Sequence, residues 1–128
     1  MFDWRGDGTI LVVDDEQQVR MITELMLAQF GFKVLTAEDG AAGVRVFAEH
    51  AAEIDLVIMD LTMPKLSGEQ AFLEMRKHKP DARIVLTSGY NESEAVGRLS
   101  ASGVTAFLQK PFELEQLLST VKKALALG

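Results

Sequence analysis

Residues 9–15, Thr9-Ile10-Leu11-Val12-Val13-Asp14-Asp15, decide the fold. The run from Thr9 to Val13 has no polar alternation. A strand built from it is therefore buried on both faces, as in a parallel sheet covered by helices on each side. It then stops abruptly on two adjacent acids. Similar runs follow at Lys33–Ala37, Leu56–Met59, Arg83–Thr87 and Thr105–Leu108, each separated from the last by a segment of helical period. After the first strand, Val19, Ile22, Met26 and Phe30 recur at spacings of three and four, with Gly31 as a left-handed stop. Asp39-Gly40 opens a second helix to about His50. Ser67-Gly68 opens a third, with Ala71, Phe72 and Met75 on one face and Pro80 at its end. A fourth helix is expected from Glu92 to Ser102 before Gly103. A fifth is expected from Glu113 to Leu127, with Leu114, Leu117, Leu118, Val121 and Leu125 on one stripe. Five βα units with right-handed crossovers make an α/β fold around a doubly wound parallel sheet.

The composition agrees with this reading. A chain of 128 residues suits one domain, expected over residues 9–128 behind a loose leader of eight residues that contains Gly6 and Gly8. There is no cysteine, and none is needed, because a domain of this size buries enough surface to hold itself together. Hydrophobic residues make up 48% and charged residues 25%, which excludes a disordered, collagenous or membrane-bundle chain. The net charge of −6, with no basic run longer than Lys122-Lys123, argues against direct contact with nucleic acid. No apolar stretch approaches the roughly 20 residues of a membrane span. Met1 to Arg5 lacks the basic and apolar regions of a signal peptide, so a cytoplasmic protein without membrane insertion is expected.

Ligand sites of doubly wound sheets lie beyond the carboxyl ends of the strands, where strand order reverses. Here those ends read Val13-Asp14-Asp15, Met59-Asp60, Thr87-Ser88-Gly89 and Gln109-Lys110-Pro111. Three carboxylates crowded on one rim repel each other, and burial adds to their cost unless a cation is present. Oxygen donors without nearby His or Cys favour Mg²⁺, with Mn²⁺ or Ca²⁺ as substitutes. Asp60, central on the rim, reads as a nucleophile that forms an aspartyl phosphate. Mg²⁺, Lys110 and the Ser88 hydroxyl are then placed to take one phosphoryl oxygen each.

With these residues in this order, the sequence resembles the response-regulator receiver domains of two-component signalling. The resemblance runs from about Thr9 to Leu127. It rests on Asp14-Asp15, on Asp60 with Met63-Pro64 and Gly68 after it, on Ser88-Gly89, and on Lys110-Pro111-Phe112. It implies a flavodoxin-like (βα)5 fold with strand order 2-1-3-4-5. It also implies that Asp60 accepts a phosphoryl group from a phosphohistidine of a sensor histidine kinase or phosphotransfer protein. The implied metal ligands are Asp15, Asp60 and the backbone carbonyl of Thr62, with Asp14 acting mostly through water. Lys110 would stabilise the acyl phosphate, with a cis bond to Pro111. Ser88 and Phe107 match the hydroxyl and aromatic switch positions, and their coupled movement would reshape the surface of helix four, strand five and helix five for a downstream protein or a second copy. Ser and Phe stand here in place of the more frequent Thr and Tyr. Thr87 is the runner-up for the switch hydroxyl, but Gly89 supplies the small residue that follows it when Ser88 is chosen. Leu86-Thr87-Ser88-Gly89-Tyr90 and the short C-terminus resemble receivers attached to hybrid sensor kinases.

Simpler readings compete at each position. Asp14, Asp15 and Asp39 are all suited to capping a helix, and for Asp39 that reading suffices. Lys110, His50, His78, Lys122 and Lys123 taken singly read as solvated surface. Met21, Met26, Met59, Met63 and Met75 read as core filler. Trp4 is expected over an apolar edge, and Tyr90 near the mouth of the site. Among functions, an aspartyl-phosphate phosphatase wants a general acid two residues after the nucleophile, where Thr62 stands. A flavin-phosphate loop would not carry Asp14-Asp15-Glu16, and no G-x-G-x-x-G is present for a dinucleotide. A receiver-like scaffold that is never phosphorylated would not need Asp15, Asp60 and Lys110 together. The expected role is a phosphoacceptor switch, not a turnover enzyme.

Overall fold

The computed structural model describes residues 6–89 and 93–126. Trp4, Tyr90, Glu92 and Leu127, to which the sequence assigns roles or helix ends, lie outside the described residues. In chain order the elements are β1 (Thr9–Val13), α1 (Gln17–Gln29), β2 (Lys33–Ala37), α2 (Gly40–His50), β3 (Ile54–Asp60), α3 (Gly68–His78), β4 (Ile84–Ser88), α4 (Ser93–Ser100), β5 (Ala106–Gln109) and α5 (Leu114–Ala126). All strand pairs are parallel, in the order β2-β1-β3-β4-β5. The expected doubly wound sheet and its strand order are therefore present. β1 and β4 are buried along their whole length, whereas the edge strands β2 and β5 are half open.

Two apolar layers hold the sheet. Ile10, Val12, Leu56, Ile58, Val85 and Leu108 meet Leu27 of α1 and Leu117, Leu118 and Val121 of α5 on one face. On the other face Leu11, Val13, Val57, Met59, Ile84 and Leu86 meet Phe47 of α2, Phe72 and Met75 of α3 and Leu99 of α4. Alternation along each strand thus assigns every rim residue to a face. At roughly 25 cal/mol per Å² of apolar surface removed from water, this two-sided burial is the main source of stability.

Several local expectations need correction. The buried residues of α1 are Thr23 and Leu27, with Phe30 after them as expected, whereas of the stripe Val19, Ile22, Met26 the methionine packs only partly against the core and Ile22 is turned out. Thr23 can be buried because its hydroxyl donates to the Val19 carbonyl at 2.7 Å, which a count of apolar residues overlooks. Ile22 is consequently 52% exposed, and Met21, at 49%, is not core filler. Gly6 N–H donates to the Phe30 carbonyl, and the Gly8 carbonyl accepts from Lys33 N–H. β3 begins two residues earlier and ends one later than the apolar run Leu56–Met59, because Ile54 pairs with Thr9 across a bulge at Asp55 and polar Asp60 continues the ladder to Thr87. β4 and β5 each start and end one residue later than the sequence implies, and α4 is shorter at its end, stopping at Ser100. Gly31 has φ of +98°, the left-handed turn expected after α1. Among the described residues no helix is long and apolar enough to cross a membrane.

Candidate functional site

The chain reverses direction across the sheet between β1 and β3, since β2 lies on one side of β1 and β3 on the other. Asp14 follows β1 and Asp60 ends β3, so the fold brings them side by side at this point. Both are almost wholly buried, while Asp15 is exposed at the mouth. Oxygens of Asp14, Asp15 and Asp60 lie within 4.8 Å of one another. From β5, the Lys110 Nζ reaches in to 2.9 Å from Asp14 Oδ2 and 3.3 Å from Asp60 Oδ2. Lys110 is therefore not a solvated surface lysine. Its bond to Pro111 is cis, as the resemblance implies.

The surrounding backbone holds these groups in place. Asp14 Oδ1 accepts from Glu16 N–H at 2.9 Å, so the residue serves the start of α1 as well as the acidic cluster. Its carbonyl accepts from Arg20 Nη1 at 2.7 Å. Behind Asp60 the chain turns into α3, where Gly68 N–H donates to the Leu61 carbonyl. A Cβ on Gly68 would lie 2.4 Å from the Asp60 carbonyl oxygen, so only glycine lets α3 pack this close to the strand end. Ser67 and Gln70 form a capping box that fixes the first turn of α3. Thr62, two residues beyond Asp60, is exposed on this loop. Asp39 caps α2, its carboxylate accepting from Ala42 N–H at 2.8 Å. That bond, with Lys65 nearby, holds its pKa below the ordinary value.

Electrostatics single out Asp60. Burial pushes its carboxyl up to about 7, and the negative charges of Asp14 and Asp15 add to the rise while Lys110 opposes it. Burial works against the charged form of Lys110, but its hydrogen bond to Asp14 and the charges of Asp60 and Asp14 outweigh it. The ammonium is thus held above its ordinary pKa. One lysine does not neutralise three acids. A set made only of oxygen donors, this close together and this poorly compensated, suits a hard divalent cation.

The two hydroxyls at the end of β4 part company. Ser88 alternates with Leu86 onto the face of α4, the face on which half-buried Phe107 packs. Thr87 follows Val85 onto the opposite face, that of α1 and α5, and stands in register with Asp60. Glu16, whose carboxylate lies 3.6 Å from Lys110 Nζ, and Arg20 are members of the site that a strand-end reading passes over. The only sequence signal for them is their place directly after Asp14-Asp15. Beside Lys110 a mostly apolar groove is lined by Val19, Ile22, Met26, Pro111 and Phe112.

Comparison with known proteins agrees with this geometry. Residues 10–122 match the family described as "Response regulator receiver domain". The chain is 37% identical over 123 residues to the sensor kinase CckA of Brucella abortus, covering 96% of this chain and 13% of that protein. It is 36% identical over 117 residues to the chemotaxis protein CheY of Bacillus subtilis, covering 91% of this chain and 96% of that one. Among solved structures, a response regulator receiver domain protein of Clostridium thermocellum superposes with a TM-score of 0.89 at 31% identity, over 93% of this chain and 94% of that one. The receiver domain of the hybrid histidine kinase CckA superposes with a TM-score of 0.77, also at 31% identity, over 92% and 99%.

Proposed function

Since the chain belongs to the response regulator receiver domain family of two-component signalling, we propose that it is a phosphoacceptor switch in which Asp60 receives a phosphoryl group from a phosphohistidine on a partner kinase or phosphotransfer protein. The observation that carries this reading is the contact of one partly buried lysine with two buried acids, Asp14 and Asp60, with Asp15 completing the cluster. Structural ion pairs rarely bury a surplus of like charge, because the uncompensated acid destabilises the fold.

In this reading Asp60 attacks phosphorus through one carboxylate oxygen, and the imidazole of the donor leaves. Lys110 moves with its charge from the Asp60 carboxylate to a phosphoryl oxygen, and the Ser88 hydroxyl donates to another. Asp15, Asp60 and the Thr62 carbonyl would hold Mg²⁺, with Mn²⁺ or Ca²⁺ as substitutes, and Asp14 would act through water. The ion would supply positive charge for the oxygens of the transferred group. Ser88 and Phe107 lie on one face of the sheet, so movement of the serine toward the phosphoryl group opens space for the ring. That coupling would alter the surface of α4, β5 and α5 that meets a downstream protein or a second copy. The groove of Val19, Ile22, Met26, Pro111 and Phe112 adjoins Lys110, and its exposed Ile22 offers apolar contact to the donor protein.

The test is intact mass after incubation with acetyl phosphate, with and without Mg²⁺, on the natural sequence and on Asp60→Asn. One phosphoryl group is expected, only with Mg²⁺ and only with Asp60 in place. Absence of any adduct, together with failure to bind Mg²⁺-beryllofluoride, would leave an interaction scaffold as the reading.

A further inference from the structure

Among the described residues, one buried side-chain polar atom has no hydrogen-bond partner, the hydroxyl oxygen of Thr87. Burying a hydroxyl without a partner costs about 1–3 kcal/mol, and valine would fill the same space without that penalty. Three other hydroxyls of the fold show the usual engagement. Thr23 donates to the Val19 carbonyl, Thr105 accepts from Ile84 N–H, and Ser67 caps α3. Thr87 is therefore an exception at the rim, and its position explains what it is near.

Lys110 directly follows β5, while Asp60 ends β3 and Asp14 directly follows β1, so the lysine reaches across the end of β4 to touch them. Strands lie about 4.8 Å apart, and a lysine spanning two of them has to lay its stem over the strand between. Thr87 is the β4 residue on that face, in register with Asp60 on one side and with Leu108, two residues before Lys110, on the other. In the resting arrangement the ammonium is held by Asp14 at 2.9 Å and Asp60 at 3.3 Å, and Glu16 stands at 3.6 Å. A phosphoryl group on Asp60 shifts the negative charge that holds the ammonium from the carboxylate to the phosphoryl oxygens, so the ammonium moves and its donors are redistributed.

Resting on the phosphoacceptor reading, we propose that Thr87 is a positioning residue for Lys110, whose Nζ donates to the Thr87 hydroxyl oxygen when Asp60 carries a phosphoryl group. The orphaned oxygen of the resting state is then the partner kept in reserve for the loaded state. Thr87 acts on the lysine from the face of α1 and α5, separately from Ser88 on the face of α4.

Beryllofluoride with Mg²⁺ stands in for the phosphoryl group in the test, with affinity measured by calorimetry on the natural sequence, Thr87→Val, Thr87→Ala and Thr87→Ser. A single hydrogen bond formed only on loading corresponds to a factor of about 3–10 in affinity. Thr87→Val and Thr87→Ala are expected to bind that much more weakly, and Thr87→Ser to return within about twofold of the natural sequence. Unloaded Thr87→Val is expected to melt no lower than the natural sequence, so that the loss cannot be laid to damage of the fold. If Thr87→Val and the natural sequence bind equally, the hydroxyl has no role in the loaded state and the inference is overturned while the phosphoacceptor reading stands. If the natural sequence binds no beryllofluoride and takes no phosphoryl group, both fall together.

Discussion

The two ends of the sheet carry the same kinds of side chain and use them in opposite ways. At the amino end, Asp55, Arg76, Lys79, Asp81, Arg83 and Thr105 surround one hollow. Most of these groups serve the backbone. Arg76 donates to the carbonyls of Ala82 and Gly103 at 2.9 Å each and lies over the ring of Phe72, while Arg83 donates to the Leu125 carbonyl. Asp55 accepts from Thr9 N–H, and Thr105 from Ile84 N–H. At the carboxyl end, Asp14, Asp15, Asp60 and Lys110 face one another instead, and Asp60 is pushed up to about 7 by its burial. Polar groups spent on loop carbonyls and amides staple a fold together. Polar groups turned toward each other store unfavourable charge that a ligand can relieve.

Removing the lysine breaks this contrast most severely. Lys110→Ala leaves Asp14 and Asp60 buried without their cation, and breaking such a pair costs about 3 kcal/mol. It also removes the charge that holds the Asp60 pKa down, so more of the carboxyl is protonated at neutral pH and unable to attack. Phosphoryl uptake from acetyl phosphate is expected to fall by about 100-fold or more, a change of roughly 3 kcal/mol in barrier. Mass spectrometry over time measures the uptake, and urea unfolding at pH 8 the stability.

The amino end should respond in stability alone. Arg76→Ala removes two hydrogen bonds to carbonyls and the cover over Phe72, with an expected loss of about 2 kcal/mol in urea unfolding. Its phosphoryl uptake should stay within about twofold of the natural sequence. Comparable loss of uptake in Arg76→Ala and Lys110→Ala would erase the division of labour between the two ends.

A subtler test uses pH. The folded state raises the Asp60 pKa from 3.8 to about 7, so between those values the folded chain binds the proton that the unfolded chain has released. In the metal-free protein this group therefore takes nothing from stability below about pH 4. Its penalty grows as pH rises through the window to about 7 and is complete above it. Asp60→Asn is expected to unfold at higher urea than the natural sequence at pH 8, by about 1 kcal/mol or more, and the gap should close toward pH 4. Adding Mg²⁺ at pH 8 should stabilise the natural sequence more than the variant. A gap that does not change with pH would mean Asp60 is not strained by its surroundings.

Much of this was open to a reader of the sequence because it depends on local pattern. Uninterrupted apolar runs such as Thr9–Val13 dictate two-sided burial, and an acid or a lysine directly after such a run is carried to the rim by the strand itself. Asp14, Asp60 and Lys110 were legible for that reason, and so was the cap at Asp39. The face of α1 was not, because a threonine whose hydroxyl bonds its own helix packs like an apolar residue and shifts the stripe by one position. Glu16 and Arg20 escaped because their place at the site depends on how α1 leaves the rim.

The sequence by itself determined the order of strands and helices, the composition of the rim and the excess of negative charge there. Each of these follows from the period of apolar residues and from which side chain ends each run. Tertiary structure alone decided that one lysine spans from the end of β5 to the ends of both β3 and β1, that Gly68 lets α3 close on Asp60, and that Thr87 and Ser88 point to opposite faces, with the buried Thr87 hydroxyl left unpartnered. These facts depend on the register and spacing of strands far apart in the chain, and the packing of both apolar layers sets that register.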